Sequence, residues 1–335
     1  MKKVLLSGAA LLAMTAGAAQ AEGLSLDLGG HFKGYGVYND NDGDDLREVN
    51  IRKETEVHFT GETTLDSGLT VGVHVEADVD ADDDFTTDEA YMYLSGGWGR
   101  VNFGEEDGAA YLLQVAAPSA DSNIDGLRQY ISSYNNGAGD LVIDYANDIA
   151  TDANKLTYMT PVFNGFQVGA SYTPSVTNSA NGTTATALDN DGGLDDGYEI
   201  AARYEGAFEG VGLAFGAGYS DYSGELDATD QDEWNVGLDM DFAGFGLGVV
   251  YTELDDEAAA DELETLVVGA DYQLGAYKLG ASWLNQDGAA ELDRYTVGAG
   301  YSYGPGMSFR GSVSVIDNEN DVDSTQVSLG TQVNF

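Results

Sequence analysis

Three histidines, His31, His58 and His74, are the only imidazoles in this 335-residue chain, and each falls in a stretch of alternating polar and apolar residues. Imidazole changes charge nearest neutral pH and is the commonest metal ligand, so the trio offers proton sensing, acid–base work or metal binding. Catalysis of the hydrolase kind needs a nucleophile beside a histidine base. The chain has no cysteine and no G-x-S-x-G elbow, and an enzyme is not expected. A metal site requires the histidines to converge and further ligands to join them. Diagonal neighbours on paired strands approach to about 7–8 Å, which would bring His58 and His74 near one another. The preferred reading is three solvated histidines that make their surroundings mildly pH-sensitive, with the metal question left open.

Carboxylates are the second chemical resource. The chain carries 58 acidic against 13 basic residues, a formal charge of -45, so it has no basic footprint for nucleic acid. Glu105, Glu106, Asp107, Asp121 and Asp125 gather in one long stretch, Glu105–Asn154, where the alternation stops. Clustered acids draw cations through their local potential. Arg128 lies in the same stretch, placed to pair with Asp121 or Asp125 or to line the same space. The run Asp40-Asn41-Asp42-Gly43-Asp44-Asp45 has the composition of a calcium loop but not its frame: the glycine comes too early and the closing glutamate is displaced. No cofactor is expected beyond weak binding of a divalent cation such as calcium.

The elements that position these groups follow from a period of two. In Asp323–Phe335, Val327, Leu329, Thr331, Val333 and Phe335 share one parity, and Gln326, Ser328, Gly330, Gln332 and Asn334 the other. A terminal strand in this register is expected to close a sheet. About sixteen such segments run from Leu24–Tyr38 to Asp323–Phe335. Short turns such as Asp66-Ser67-Gly68 and Phe242-Ala243-Gly244 alternate with long acidic connections such as Asn39–Glu48 and Pro174–Asp195.

Leu26, Leu28, Phe32, Val57, Phe59, Val71, Val73, Val75, Tyr295 and Val297 fall on the apolar parity. His31, Lys33, Arg52, Glu54, Glu56, His58, His74 and Glu76 fall on the other. So many mid-strand charges on one face cannot enter a packed core, whereas a water-filled lumen accepts them. An open sheet of this length would leave bare edges. The expected fold is therefore an all-β, transmembrane antiparallel β-barrel of about sixteen strands, with Glu105–Asn154 packed against its inner wall. A slightly negative mean hydropathy is no objection, because half of each strand faces water.

Eight basic residues share the lumen parity: Lys33, Arg52, Arg100, Lys155, Arg203, Lys278, Arg294 and Arg310. A cation facing lipid at mid-bilayer costs about 2–4 kcal/mol, so these should point inward. Trp98, Phe103, Trp234, Phe242, Tyr251, Trp283, Tyr301, Tyr303 and Phe335 lie near strand ends, where ring side chains favour the membrane interface. Residues 1–21 read as a secretory signal: Lys2 and Lys3, the apolar run Val4–Ala13, and Ala19-Gln20-Ala21 as the cleavage site. Residues 22–335 are expected to form a single domain.

At the level of motifs, Phe59–Ala77 (FTGETTLDSGLTVGVHVEA) and Glu89–Gly104 (EAYMYLSGGWGRVNFG) resemble strands two to five of the Gram-negative general porins, particularly those of alphaproteobacteria, and the final Phe335 matches the family's last residue. The resemblance implies a sixteen-stranded barrel in the outer membrane, assembled as a homotrimer among lipid and lipopolysaccharide. It implies passive diffusion of small hydrophilic solutes and ions, with a substrate-selective channel as the alternative. It also implies that the third external loop, here 105–154, folds into the barrel as a constriction facing a basic wall, to which Lys33, Arg52 and Arg100 correspond. Arg294 and Arg310 are added to that wall by parity. The Pro-Glu-Phe-Gly loop motif of enteric porins is absent, and Glu105 stands where enteric members commonly carry a basic residue. With acids on the loop, the expected channel prefers cations.

Overall fold

The computed structural model describes residues 25–41, 47–79, 86–118, 144–176, 193–224, 230–319 and 323–335. The expected signal segment, Asp121, Asp125, Arg128 and residues 42–45 of the acidic run lie outside them.

Among the described residues there are sixteen strands and one short helix: β1 (Ser25–Asn41), β2 (Val49–Thr64), β3 (Thr70–Asp78), β4 (Thr86–Gly96), β5 (Gly99–Glu105), α1 (Ala109–Leu112), β6 (Asn154–Met159), β7 (Phe166–Ser175), β8 (Leu194–Phe208), β9 (Val211–Gly224), β10 (Gln231–Phe242), β11 (Phe245–Asp256), β12 (Leu263–Leu274), β13 (Tyr277–Asp287), β14 (Leu292–Gly304), β15 (Met307–Asn318) and β16 (Ser324–Asn334). Strand order follows chain order, and β16 pairs antiparallel with β1 to close the barrel. Each expected segment coincides with one strand.

The two faces are inverted relative to a water-soluble sheet. Leu26, Ile51 and Leu329 are 72%, 77% and 70% exposed, whereas Asn39, Gln326 and Ser328 on the other parity are buried. An apolar exterior around a polar interior is the arrangement that hydrocarbon selects, since every backbone group is satisfied within the closed ladder. No helix among the described residues is long and apolar enough to cross a membrane; strands do the crossing.

Tight turns are built from residues with positive φ. Asn164-Gly165, Glu209-Gly210 and Ala243-Gly244 each have both residues left-handed, which matches the right-handed twist of the strands they join. The long connections fall at the opposite end. Ring pairs mark both rims on the outside: Trp98–Tyr158, Phe245–Tyr272 and Tyr303–Phe309 beside short turns, Tyr172–Tyr198 and Trp234–Tyr251 toward the long loops.

Closure is sealed at the short-turn rim. Gly30 N–H donates to Phe335 O and Phe335 N–H to Gly30 O, both at 3.0 Å. Gly30 has φ of +152°, and a Cβ there would collide with the Glu56 carbonyl and touch the Phe335 ring, so the seam requires glycine.

Candidate functional site

Beyond β5 the chain turns into the barrel and lies along the inner faces of β7 to β12. Its first fastening is α1, whose Ala109 and Ala110 are fully buried. Ala109 N–H donates to Ser171 Oγ at 2.8 Å, and Ala110 N–H to Glu199 Oε2 at 2.9 Å. Further along, the Gln114 carbonyl accepts from Arg203 Nη1 at 2.7 Å. The returning limb is tied as closely: Tyr145 O accepts from Gln114 Nε2 at 2.6 Å and Thr252 Oγ1 at 2.8 Å, and Asn147 N–H donates to Gln114 Oε1 at 2.9 Å. A loop buried inside a barrel must satisfy its backbone, and wall side chains do so here.

Close approach is made possible by glycines on the lumen parity. A Cβ at Gly169 would stand 3.1 Å from Ala109 Cβ, at Gly216 3.0 Å from Leu113 O, at Gly237 2.9 Å from Val115 Cβ and at Gly248 2.6 Å from Pro118 Cδ. At Gly269 the Pro118 carbonyl occupies the place of the missing side chain. These glycines form a track from β7 to β12. They were overlooked in the sequence, where the signal was glycine recurring on the inward parity of consecutive strands. Beside the track, Val250, Val267, Leu284, Leu292 and Ile316 also face inward and bury against Ala117 and Tyr145. The inner wall is thus apolar where the loop covers it, which a uniformly polar lumen did not anticipate.

Of the acidic loop set, Glu106 is 6% exposed and accepts from Asn102 Nδ2 at 3.0 Å. Burial pushes its carboxyl up to about 7, against the pull of the Tyr91 hydroxyl and of Arg100 and Lys155. Asp107 meets Glu89 and Asp152, their oxygens within 4.8 Å of one another. Glu105 departs from expectation: it ends β5 instead of opening the loop, pairing with Ala90 and Asn154. It therefore takes the parity of the exposed Phe103, opposite to Arg100 and Asn102, and accepts from Asn154 Nδ2 at 3.5 Å. Glu89, Asp152 and Glu199 were not foreseen; only the folded loop brings them to Asp107 and Ala110.

The basic residues separate into two roles. Lys155 is 4% exposed and spends its ammonium on the carbonyls of Glu106 and Thr151, so with Arg203 it fastens the loop. Lys33 binds both oxygens of Glu54, at 2.7 and 3.0 Å, and Arg52 faces Tyr35 in register on the same side. Arg310 donates from Nε to Ser308 Oγ at 3.1 Å. Lys33, Arg52, Arg294 and Arg310 occupy the arc β14–β15–β16–β1–β2, across the ring from β7–β9 where the loop is fastened. Arg294 points inward and is 1% exposed, in register between the buried Leu284 and Ile316. Arg100, on β5, lies on the loop's own side, its guanidinium 4.0 Å over the Tyr93 ring and its Nε donating to Asn102 Oδ1 at 2.6 Å.

The three histidines do converge. His31 faces Glu56 in register, His58 faces Glu76, and their rings lie 6.0 Å (His31–His58) and 5.8 Å (His58–His74) apart. His58 Nε2 is 3.1 Å from Glu56 Oε2, and His74 Nε2 is 2.7 Å from Glu76 Oε1. The row is thus a ladder of imidazoles alternating with carboxylates across β1, β2 and β3.

Residues 8–321 match the family model described as Gram-negative porin. No curated protein matches the chain by sequence. Among solved structures, the fold is similar to an anion-selective porin from Comamonas acidovorans (TM-score 0.69, 16% identity, 93% of this chain and 100% of that one). It is similar to a loop-deletion mutant of OmpT, an outer membrane protein of Vibrio cholerae (TM-score 0.66, 15% identity, 94% and 100%). It is also similar to a double mutant of Rh. blastica porin (TM-score 0.64, 21% identity, 93% and 100%).

Proposed function

The chain belongs to the Gram-negative porin family and is an outer-membrane channel, and from that premise we propose that it passes small hydrophilic solutes passively, as a homotrimer, with a preference for cations. The observation that carries the preference is the asymmetry of charge around the inward loop. Glu89, Asp107 and Asp152 bring their carboxylates together at the loop's root, with Glu106 beside them. Among the described residues two cations, Lys155 and Arg100, act on these acids, so four acidic groups stand against two basic ones at the root. Across the ring Lys33 is matched by Glu54. A low-dielectric wall strengthens the field of the remaining acids, and cations are concentrated there. The similar Comamonas porin is named anion-selective, and at 16% identity the likeness extends to the fold and not to the charges of the narrowing.

Reversal potential across a planar bilayer under a salt gradient tests this reading. A cation-directed potential supports it, and an anion-directed one overturns it. Conductance that closes in three equal steps supports the trimer; single independent steps oppose it.

A further inference from the structure

We propose that His31, Glu56 and His58 form a binding site for a zinc-class divalent metal ion on the lumen wall, separate from the loop and its acids. The three residues offer ligand atoms within 4.8 Å of one another, and the donors assigned are His31 Nδ1, Glu56 Oε2 and His58 Nε2. Glu56 Oε2 lies 3.5 Å from His31 Nδ1 and 3.1 Å from His58 Nε2. With metal–ligand bonds of 2.0–2.1 Å, the edge of a coordination tetrahedron is roughly 3.3 Å. The two spacings bracket that edge, so an ion enters by small side-chain adjustments on a fixed backbone. Two imidazoles and one carboxylate suit zinc and its neighbours far better than the hard cations calcium and magnesium, which take all-oxygen sets.

The outer nitrogens complete the case. A metal-bound imidazole characteristically donates its other N–H to a carboxylate, which fixes the tautomer and raises its basicity. His31 Nε2 lies 2.7 Å from Glu54 Oε1, and that carboxylate is itself held by Lys33. His58 Nδ1 faces Glu76 Oε1 at 3.5 Å. Both rings are thus oriented for ligation at the nitrogens that meet Glu56. Glu54, Glu56 and Glu76 outweigh Lys33 and the nearby Arg52 in charge, which favours an incoming dication. The side chains of His31, Glu56 and His58 are 14%, 17% and 28% exposed, so an ion and a fourth, water ligand reach them from the lumen. All lie on β1 and β2, whose register holds His31 opposite Glu56.

The neighbouring triad, His58, His74 and Glu76, is the less suitable one. Its His74 Nε2–Glu76 Oε1 separation of 2.7 Å is a hydrogen bond, well short of a coordination edge. A neutral imidazole has one lone pair on nitrogen, so His58 cannot serve both triads at once.

The test is zinc titration by calorimetry of the detergent-folded, full-length protein in excess calcium and magnesium, which occupy oxygen-only sites. Cobalt(II) absorption supplies the second readout. Expected are one zinc per chain and a tetrahedral cobalt spectrum. His31→Ala and His58→Ala should each weaken zinc by at least about a hundredfold, and Glu54→Gln by about tenfold, the range seen for outer-shell partners. His74→Ala, which removes no donor atom, should weaken zinc far less than His31→Ala or His58→Ala does. Zinc binding unchanged in His31→Ala, lost in His74→Ala, or abolished by calcium overturns the assignment. Circular dichroism reports barrel formation for each variant, and His31→Gln and His58→Gln replace any alanine variant that does not fold. In bilayers, zinc should shift the reversal potential toward anions in the wild type and not in His58→Ala; an equal shift in both places the effect elsewhere and counts against the site.

Discussion

Arg203 Nη1 donates to the carbonyl of Gln114 at 2.7 Å, so a cation rooted in the β8 wall grips the inward loop by its backbone. Glu205 holds the guanidinium from behind, accepting from Nε at 2.7 Å and Nη2 at 2.6 Å. Charged hydrogen bonds of this kind contribute about 1.5–3 kcal/mol. Arg203→Ala should therefore loosen the loop while the barrel itself stays closed. Single-channel recordings are expected to show larger and noisier conductance, with thermal unfolding of the barrel unchanged.

Gly269 tests the same fastening by steric means. Its missing side chain is the seat of the Pro118 carbonyl, so Gly269→Leu has no room unless the loop lifts. Liposome swelling with sugars of graded size should show a changed exclusion limit for this variant. Ala281→Leu, on the exposed outer parity of β13, should leave the limit as it was.

Glu106 gives the channel a pH dependence of defined sign. Burial holds its carboxyl up to about 7, so it is neutral below that point and charged above it. Raising pH from about 6 to about 8 should increase cation preference, and Glu106→Gln should remove that step. The stability consequence runs the other way. The unfolded chain releases this proton at lower pH, so native stability falls as pH climbs from the ordinary carboxylate range to about 7. Glu106→Gln should flatten that fall in denaturant titrations.

The outer face makes a separate prediction. Leu329 is 70% exposed at the middle of β16, between Gly36 and Gly311 in register. Leu329→Arg should cost about 2–4 kcal/mol in lipid vesicles, measured by reversible unfolding. A cost near zero would mean that this face does not meet hydrocarbon.

What the sequence disclosed and what it hid divide along one physical line. Alternation is local, and so every strand, the inward parity of the histidines and the outward parity of Leu26 and Leu329 could be read without the fold. The seam also was legible, because Phe335 stands in register with the apolar face of its strand. The loop was not. Its course depends on gaps left by Gly216, Gly237 and Gly269 on three different strands, and on Glu199 and Glu233 meeting backbone donors far away in the chain. Such partners have no fixed spacing. The place of Glu105 is hidden for a related reason: the ladder to Ala90 and Asn154 carries β5 to this residue, and the pleat then decides its side. For the histidines, Glu56 as the partner shared by His31 and His58 emerges only from the register of β1 with β2.

The seam between β1 and β16 has a consequence for how the molecule is made. The strand synthesised earliest waits for its second neighbour until the latest of the sixteen arrives. Until then the growing sheet has two raw borders, each able to template pairing with a stranger chain. Contacts of such long sequence separation also form slowly. A variant that weakens the Gly30–Phe335 clasp should therefore keep its borders open for longer and aggregate more during refolding, which light scattering would record.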